Sequence, residues 1–150
     1  PFAALLAALF LSPAEANAGE AQLRAIGSHG ASYIYTTYGY IGVLADAYVK
    51  DVYDAEKVEQ LMSEVIGIID ANKQNLEAVK AEGLSGDDAE SVEEMIQIYA
   101  LLQSQSEALI KFSKSRDPEA AKTFESTRKA VWPKIAKLLG IGASPAAASN

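Results

Sequence analysis

Cysteine is absent from the 150 residues, and histidine occurs once, at His29. A chain without cysteine has no disulfide framework, thiolate nucleophile, iron–sulfur cluster or c-type haem attachment. A lone histidine excludes a multi-histidine metal site. Bases are outnumbered, 13 against 20 acids, for a formal net charge of −7. That balance opposes nucleic-acid binding, because phosphates demand Lys and Arg. Proline is missing from Ala14 to Asp117, and glycine is sparse after Gly42. No apolar run reaches the roughly 20 residues that a membrane-spanning helix needs, so no integral membrane segment is expected in the mature chain. What is present is 49% hydrophobic residues, too many for a disordered chain.

The longest apolar run is Phe2 to Leu11, and Ala16-Asn17-Ala18 follows it. A short apolar core before a small–x–small site resembles a secretory signal peptide. The expectation is a signal segment over 1–18, incomplete at its start, with cleavage leaving Gly19 first. The alternative is an N-terminal helix packed on the domain. Export places the mature chain in the periplasm or outside the cell.

From Gly19 onward apolar residues recur at alternating steps of three and four, the period of a helix. Asp54 is a good N-cap with Glu56 behind it. Val58, Met62, Val65, Ile69, Asn72, Leu76 and Val79 then form an a/d seam with one polar member, widened by Leu61, Ile66 and Ile68. Gly83 suits a left-handed helix end, and Ser85 with Asp88 resembles a capping box. The next helix has two neighbouring seams, Met95, Ile98, Leu102, Gln105, Leu109 and Phe112 beside Val92, Ile96, Tyr99, Ser106 and Ile110. Asp117 with Pro118 is a strong helix start. Ala121, Phe124, Arg128, Val131, Ile135 and Leu138 follow, with a kink or tightened turn expected at Pro133. The first helix carries Gly27, Gly30, Gly39 and Gly42, with Ser28-His29-Gly30 as the candidate break. Short loops make successive helices antiparallel. The expected fold is all-α, an antiparallel up-down-up-down four-helix bundle over 19–141 with coiled-coil-like packing. A disordered tail is expected over 142–150, and the runner-up is a helical hairpin array completed by a partner.

Register counted from turns near 54, 84 and 117 puts Asp46, Ser63, Gln105 and Arg128 in one layer. Its expected content is an Asp46–Arg128 ion pair with Gln105 alongside. The layer reads either as a ligand anchor gripping a carboxylate or as a structural pair that fixes register; register is favoured. Six of seven tyrosines, Tyr33, Tyr35, Tyr38, Tyr40, Tyr48 and Tyr53, lie on or just after the first helix. Tyr38, Tyr40, Tyr99 and Trp132 are candidates to line one end of the interior. Packing is the favoured reading, ahead of a homodimer or other protein interface and a small-ligand pocket.

His29 with Met62 or Met95 invites a haem reading. The register separates His29 from Met62 by roughly 25 Å and from Met95 by roughly 9 Å at the helical rise, and no cofactor is expected. Asp87, Asp88, Glu90, Glu93 and Glu94 crowd the start of the third helix. They complement its dipole, as Lys111, Lys114 and Arg116 do at its end, and no metal site is expected. Catalytic constellations are missing, so no enzyme is expected. The reading is a binding or protein-interaction module, working through the tyrosine-rich first helix. The alternative is a periplasmic small-ligand or metal carrier using Asp46, Gln105, Arg128, Tyr38, Tyr40, Tyr99 and Trp132.

Overall fold

The structure, a computed structural model, describes residues 13–84 and 86–141, with side chains from Arg24 onward. The apolar run 2–11, Ser85 of the capping box and the tail 142–150 lie outside the described residues. The described residues form four helices: α1 Pro13–Val49, α2 Ala55–Ala81, α3 Gly86–Ser115 and α4 Pro118–Leu138. No strand occurs among the described residues.

The helix ends form where local chemistry favours them. Asp54 Oδ1 accepts from the Lys57 amide at 2.8 Å, and Asp117 Oδ1 accepts from the Glu119 amide at 3.0 Å. Both bonds satisfy amides that a helix start leaves open. Pro118 occupies the first turn of α4, where its missing amide costs nothing. Gly83 follows α2 with φ 96°, the left-handed region that glycine enters freely. α1 ends in the same way on a non-glycine residue. Asp51 has φ 56°, and the Val52 amide reaches back to the Ala47 carbonyl at 2.8 Å. That closure satisfies the last carbonyls of α1, and a short polar side chain tolerates the conformation.

α1 runs unbroken through Ser28-His29-Gly30, where a break was the candidate. Each interior glycine costs about 1 kcal/mol relative to alanine. Core contacts outweigh that cost: Ala31, Ile34, Ile41, Leu44 and Tyr48 are all buried beyond the glycine. Gly30 also has a packing role, since a Cβ there would lie 2.6 Å from Met95 Cε. α4 likewise remains helical through Pro133.

α3 is the axis of the assembly. It buries Met95, Ile98, Tyr99, Leu102, Gln105, Ser106, Ala108, Leu109 and Ser113, an arc wider than one a/d stripe. α2 and α4 pack along opposite flanks of α3, and no described Cα of α2 lies within 8 Å of one in α4. α1 runs along α3, meeting it at Gly30–Met95 and at Tyr48–Ser113, and touches α2 and α4 more sparingly. On α2, the expected seam is buried at Val58, Met62, Val65 and Ile69. Toward its end the seam opens, with Val79 exposed, and Ile68 points outward rather than widening the core.

Polar pairs fasten α3 to its neighbours. Lys80 reaches Glu93 at 2.6 Å and Lys114 pairs with Glu59, joining α2 to α3 at both ends. Lys137 pairs with Glu94 at 3.0 Å, and Lys134 donates to Gln97 at 3.3 Å, joining α4. These sites are solvent-washed, so each pair contributes little beyond orientation. The apolar surface of α3 carries the stability. Leu102→Ala, fully buried on α3, is expected to cost about 2–5 kcal/mol. Val43→Ala, exposed on α1, is expected to stay within about 0.5 kcal/mol. Urea unfolding followed by circular dichroism measures both, and equal costs would refute the primacy of α3.

Candidate functional site

The expected Asp46–Arg128 pair does not form. Asp46 is exposed on α1, and Arg128 Nη2 instead pairs with Glu125 Oε2, one turn back on α4, at 3.3 Å. The cause is register. Counting from symmetric turns sets Lys80 level with residue 88, whereas it faces Glu93. A stagger of about five residues, roughly 7 Å at the helical rise, therefore enters between α2 and α3. Ser63 is exposed as well, leaving the expected layer without its α2 member.

Arg128 sits instead beside Tyr38. Burial raises the Tyr38 hydroxyl above its usual pKa, and the nearby Arg128 guanidinium partly offsets the rise. The Tyr38 ring lies 5.7 Å from that of Trp132, and Tyr35 lies 6.5 Å from it on the outer side. Tyr35, Tyr38, Trp132, Arg128 and Glu125 thus form one strip where α1 meets α4. Trp132 Nε1 is buried there and has no acceptor. Of the four aromatics expected together, Tyr38 and Trp132 meet. Tyr40 is exposed on α1, and Tyr99 is buried in α3.

Burial, with Tyr33 adding to it, pushes the Tyr99 hydroxyl up to about 12. The folded state therefore holds the Tyr99 proton more tightly than the unfolded chain does. Its contribution is whole below pH 10 and is lost as pH rises toward 12. The expected outcome is an alkaline fall in stability between those values that Tyr99→Phe makes shallower, measured by thermal melts against pH.

Gln105 is fully buried, and neither its amide nitrogen nor its carbonyl oxygen has a partner. Its surroundings follow from cross-helix contacts. Tyr48 donates to the Ser113 carbonyl at 2.8 Å, and Gly30 meets Met95, which sets α1 against α3. Lys134 with Gln97 and Lys137 with Glu94 set α4 against α3. On that register Thr37 falls level with Leu102 and Thr127 with Ser104. Thr37, Gln105, Ser106 and Thr127, four of the five buried polar residues among the described residues, therefore lie within about one turn of one another along the assembly. Ser106 and Thr37 satisfy themselves on carbonyls one turn back, at 2.9 Å each. Gln105 does not.

Sequence reasoning missed the cluster at the other end. Tyr48, Phe112 and Arg116 form it: the two rings meet edge-on at 6.0 Å, and the Arg116 guanidinium lies 4.4 Å over Tyr48. The Asn- and Asp-free end of α3 gave one usable signal, a basic residue after the last aromatic of the seam. The acidic start of α3 does more than complement the dipole, since Glu93 and Glu94 reach across to α2 and α4. The Lys80 ammonium holds the Glu93 carboxyl below its usual range. Among the described residues, no group of three or more His, Cys, Asp or Glu side chains is placed to hold a metal ion. The groove lined by Lys80, Glu90, Glu93, Glu94, Gln97 and Lys137 is shallow and open to solvent.

No family model, no curated protein and no solved structure matches this chain. The interior polar layer therefore has to be tested directly. Gln105→Met conserves shape and removes two unpaired polar atoms. It is expected to stabilise the fold by about 1–3 kcal/mol, the cost of an unsatisfied buried polar group. Urea unfolding reads it, and destabilisation would show that Gln105 has a partner in solution.

Proposed function

We propose that this protein is an exported, non-catalytic helical module that binds a protein partner through the outer face of α1. The observation that carries the reading is the exposure of large apolar side chains on that helix: Ile26, Tyr33, Tyr35, Tyr40, Val43 and Val49 are 39–64% exposed. A run of exposed apolar and tyrosine side chains along one element marks an interaction surface. Among the described residues, the other helices expose large apolar side chains only at Ile68 and Val79 of α2. No described helix is long and apolar enough to cross a membrane.

An up-down-up-down order belongs to the same reading. The pairs Lys80–Glu93 and Lys114–Glu59 support opposite directions for α2 and α3, and Lys137–Glu94 with Lys111–Asp117 does so for α3 and α4. Export to the periplasm or beyond rests on the apolar run and Ala16-Asn17-Ala18. A carrier is the second reading. The unpartnered Gln105 amide favours it, and native mass spectrometry showing a bound small molecule would support it.

Two measurements test the proposal. Protein secreted from an expressing cell is expected to begin at Gly19 by intact mass, and retention of residues 1–18 would overturn export by cleavage. A photo-crosslinking residue at Tyr40 is expected to give a covalent protein adduct in the living cell, while one at Lys129 on α4 gives none. Absence of any adduct from Tyr40 would remove the interaction reading.

A further inference from the structure

The turn between α1 and α2 reverses the chain without a helix-breaking residue. From Val43 to Ile66 there is neither glycine nor proline, whereas the turns before α3 and α4 hold Gly83, Gly86 and Pro118. The reversal hangs on Asp51, whose φ of 56° is one that glycine adopts freely and aspartate at a cost. The core-facing seam also keeps its phase through the turn. Ile34, Ile41, Tyr48, Ala55, Met62 and Ile69 recur every seventh residue, and Thr37, Leu44, Val58 and Val65 lie three beyond four of them. All are buried or half-buried, and Asp51 alone interrupts the pattern. Residues 34–69 therefore carry the seam of one continuous helix.

Straightening the turn carries α1 off its own core and onto the core of a second copy. Tyr48 is level with Ser113, and Glu59 with Lys114, so Tyr48 is level with Gln60 and Asp54 is the midpoint of the two helices. Two straightened chains lying antiparallel about that midpoint keep this register at both ends. A two-fold axis between them sets both cores on one side, which is where a seam without a phase break faces. The contacts of α1 then re-form between copies: the Tyr48 hydroxyl donates to a Ser113 carbonyl, Arg116 covers Tyr48, and Gly30 meets Met95. Only the turn changes, and it loses the left-handed Asp51. Short turns under strain favour this kind of exchange. Association costs freedom of motion, so concentration sets the balance.

We propose that α1 exchanges between two copies of this chain, with residues 50–54 straightening into a helix that joins α1 to α2. The exchange uses the inner face of α1 and leaves its outer face open, so it goes beyond the reading of that face as a partner site. Purified protein held at millimolar concentration just below its melting midpoint, then cooled, is expected to contain a dimer by size-exclusion chromatography. The cysteine-free chain takes spin labels cleanly at Val43→Cys and Ile68→Cys, both exposed. Mixed with excess unlabelled chain before the incubation, the two labels are expected to lie roughly 38 Å apart in the dimer, the helical rise between their positions. In the monomer they lie within roughly 20 Å, two helix diameters. Each dimer straightens two turns, so a change at Asp51 counts twice. Asp51→Gly frees the turn and is expected to raise the Kd about tenfold or more. Asp51→Leu favours the helix and continues the seam, and is expected to lower the Kd about tenfold or more. An Asp51→Leu chain that stays monomeric would overturn the exchange. So would a dimer with the short label distance, or an Asp51→Gly variant as dimeric as wild type.

Discussion

Three helices share one helix for a core. α3 buries a wide arc of side chains, from Met95 to Ser113, and α2, α4 and α1 each take part of it. A four-helix bundle with equal sides would bring α1 against both α2 and α4 along their full lengths. Here α2 and α4 stay apart across α3, and α1 closes the remaining side. That arrangement explains the close approach at Gly30, where a side chain would strike Met95. It also explains why the outside of α1 stays uncovered by the other described helices: α1 has met α3, and α2 and α4 are taken up on the flanks of α3.

The parts of the fold legible in the sequence are those governed by a few neighbouring residues. Asp54, Gly83 and Asp117 end or begin helices by bonds within one turn, and their residue types announce it. The seams of α2 and α3 are legible for a related reason, because burial repeats at the helical period and the core does not change sides. Helix α1 was harder to read, since glycine propensity argues locally for a break while Ile34, Ile41 and Leu44 argue at long range for continuity. Propensity is a weak prior against buried area.

Register was the least legible property, and the candidate site depended on it. Arg128 meets Tyr38, about eight residues or roughly 12 Å along α1 from Asp46, because a stagger of about five residues enters between α2 and α3 and about three more between α3 and α4. Nothing in residue types fixes such a shift, because sliding one helix along another changes which side chains meet without changing which are buried. Gln105 was identified correctly as an interior polar residue, since its place on an apolar seam requires no register. Its lack of a partner is visible only with all the helices in place. Thr37 and Ser106 solve the same problem locally by bonding to carbonyls in their own helices, which a longer amide side chain cannot do with both of its ends.

The charge distribution gives the open face of α1 its meaning. Copies carrying a net charge of −7 repel one another at long range. That repulsion is weakest where no acid faces outward, along the strip between Arg24 and Asp46. Approach by any other side sets the acids of α2, α3 or α4 against those of the second molecule. Glu59, Glu93 and Glu94 are tied to lysines of neighbouring helices, which organises the charged sides without making them attractive to a copy. The acids of α2, α3 and α4 thus define the charged sides of the molecule, and the stretch of α1 from Ala25 to Ala45, which has no charged residue other than His29, is the side where that repulsion is weakest.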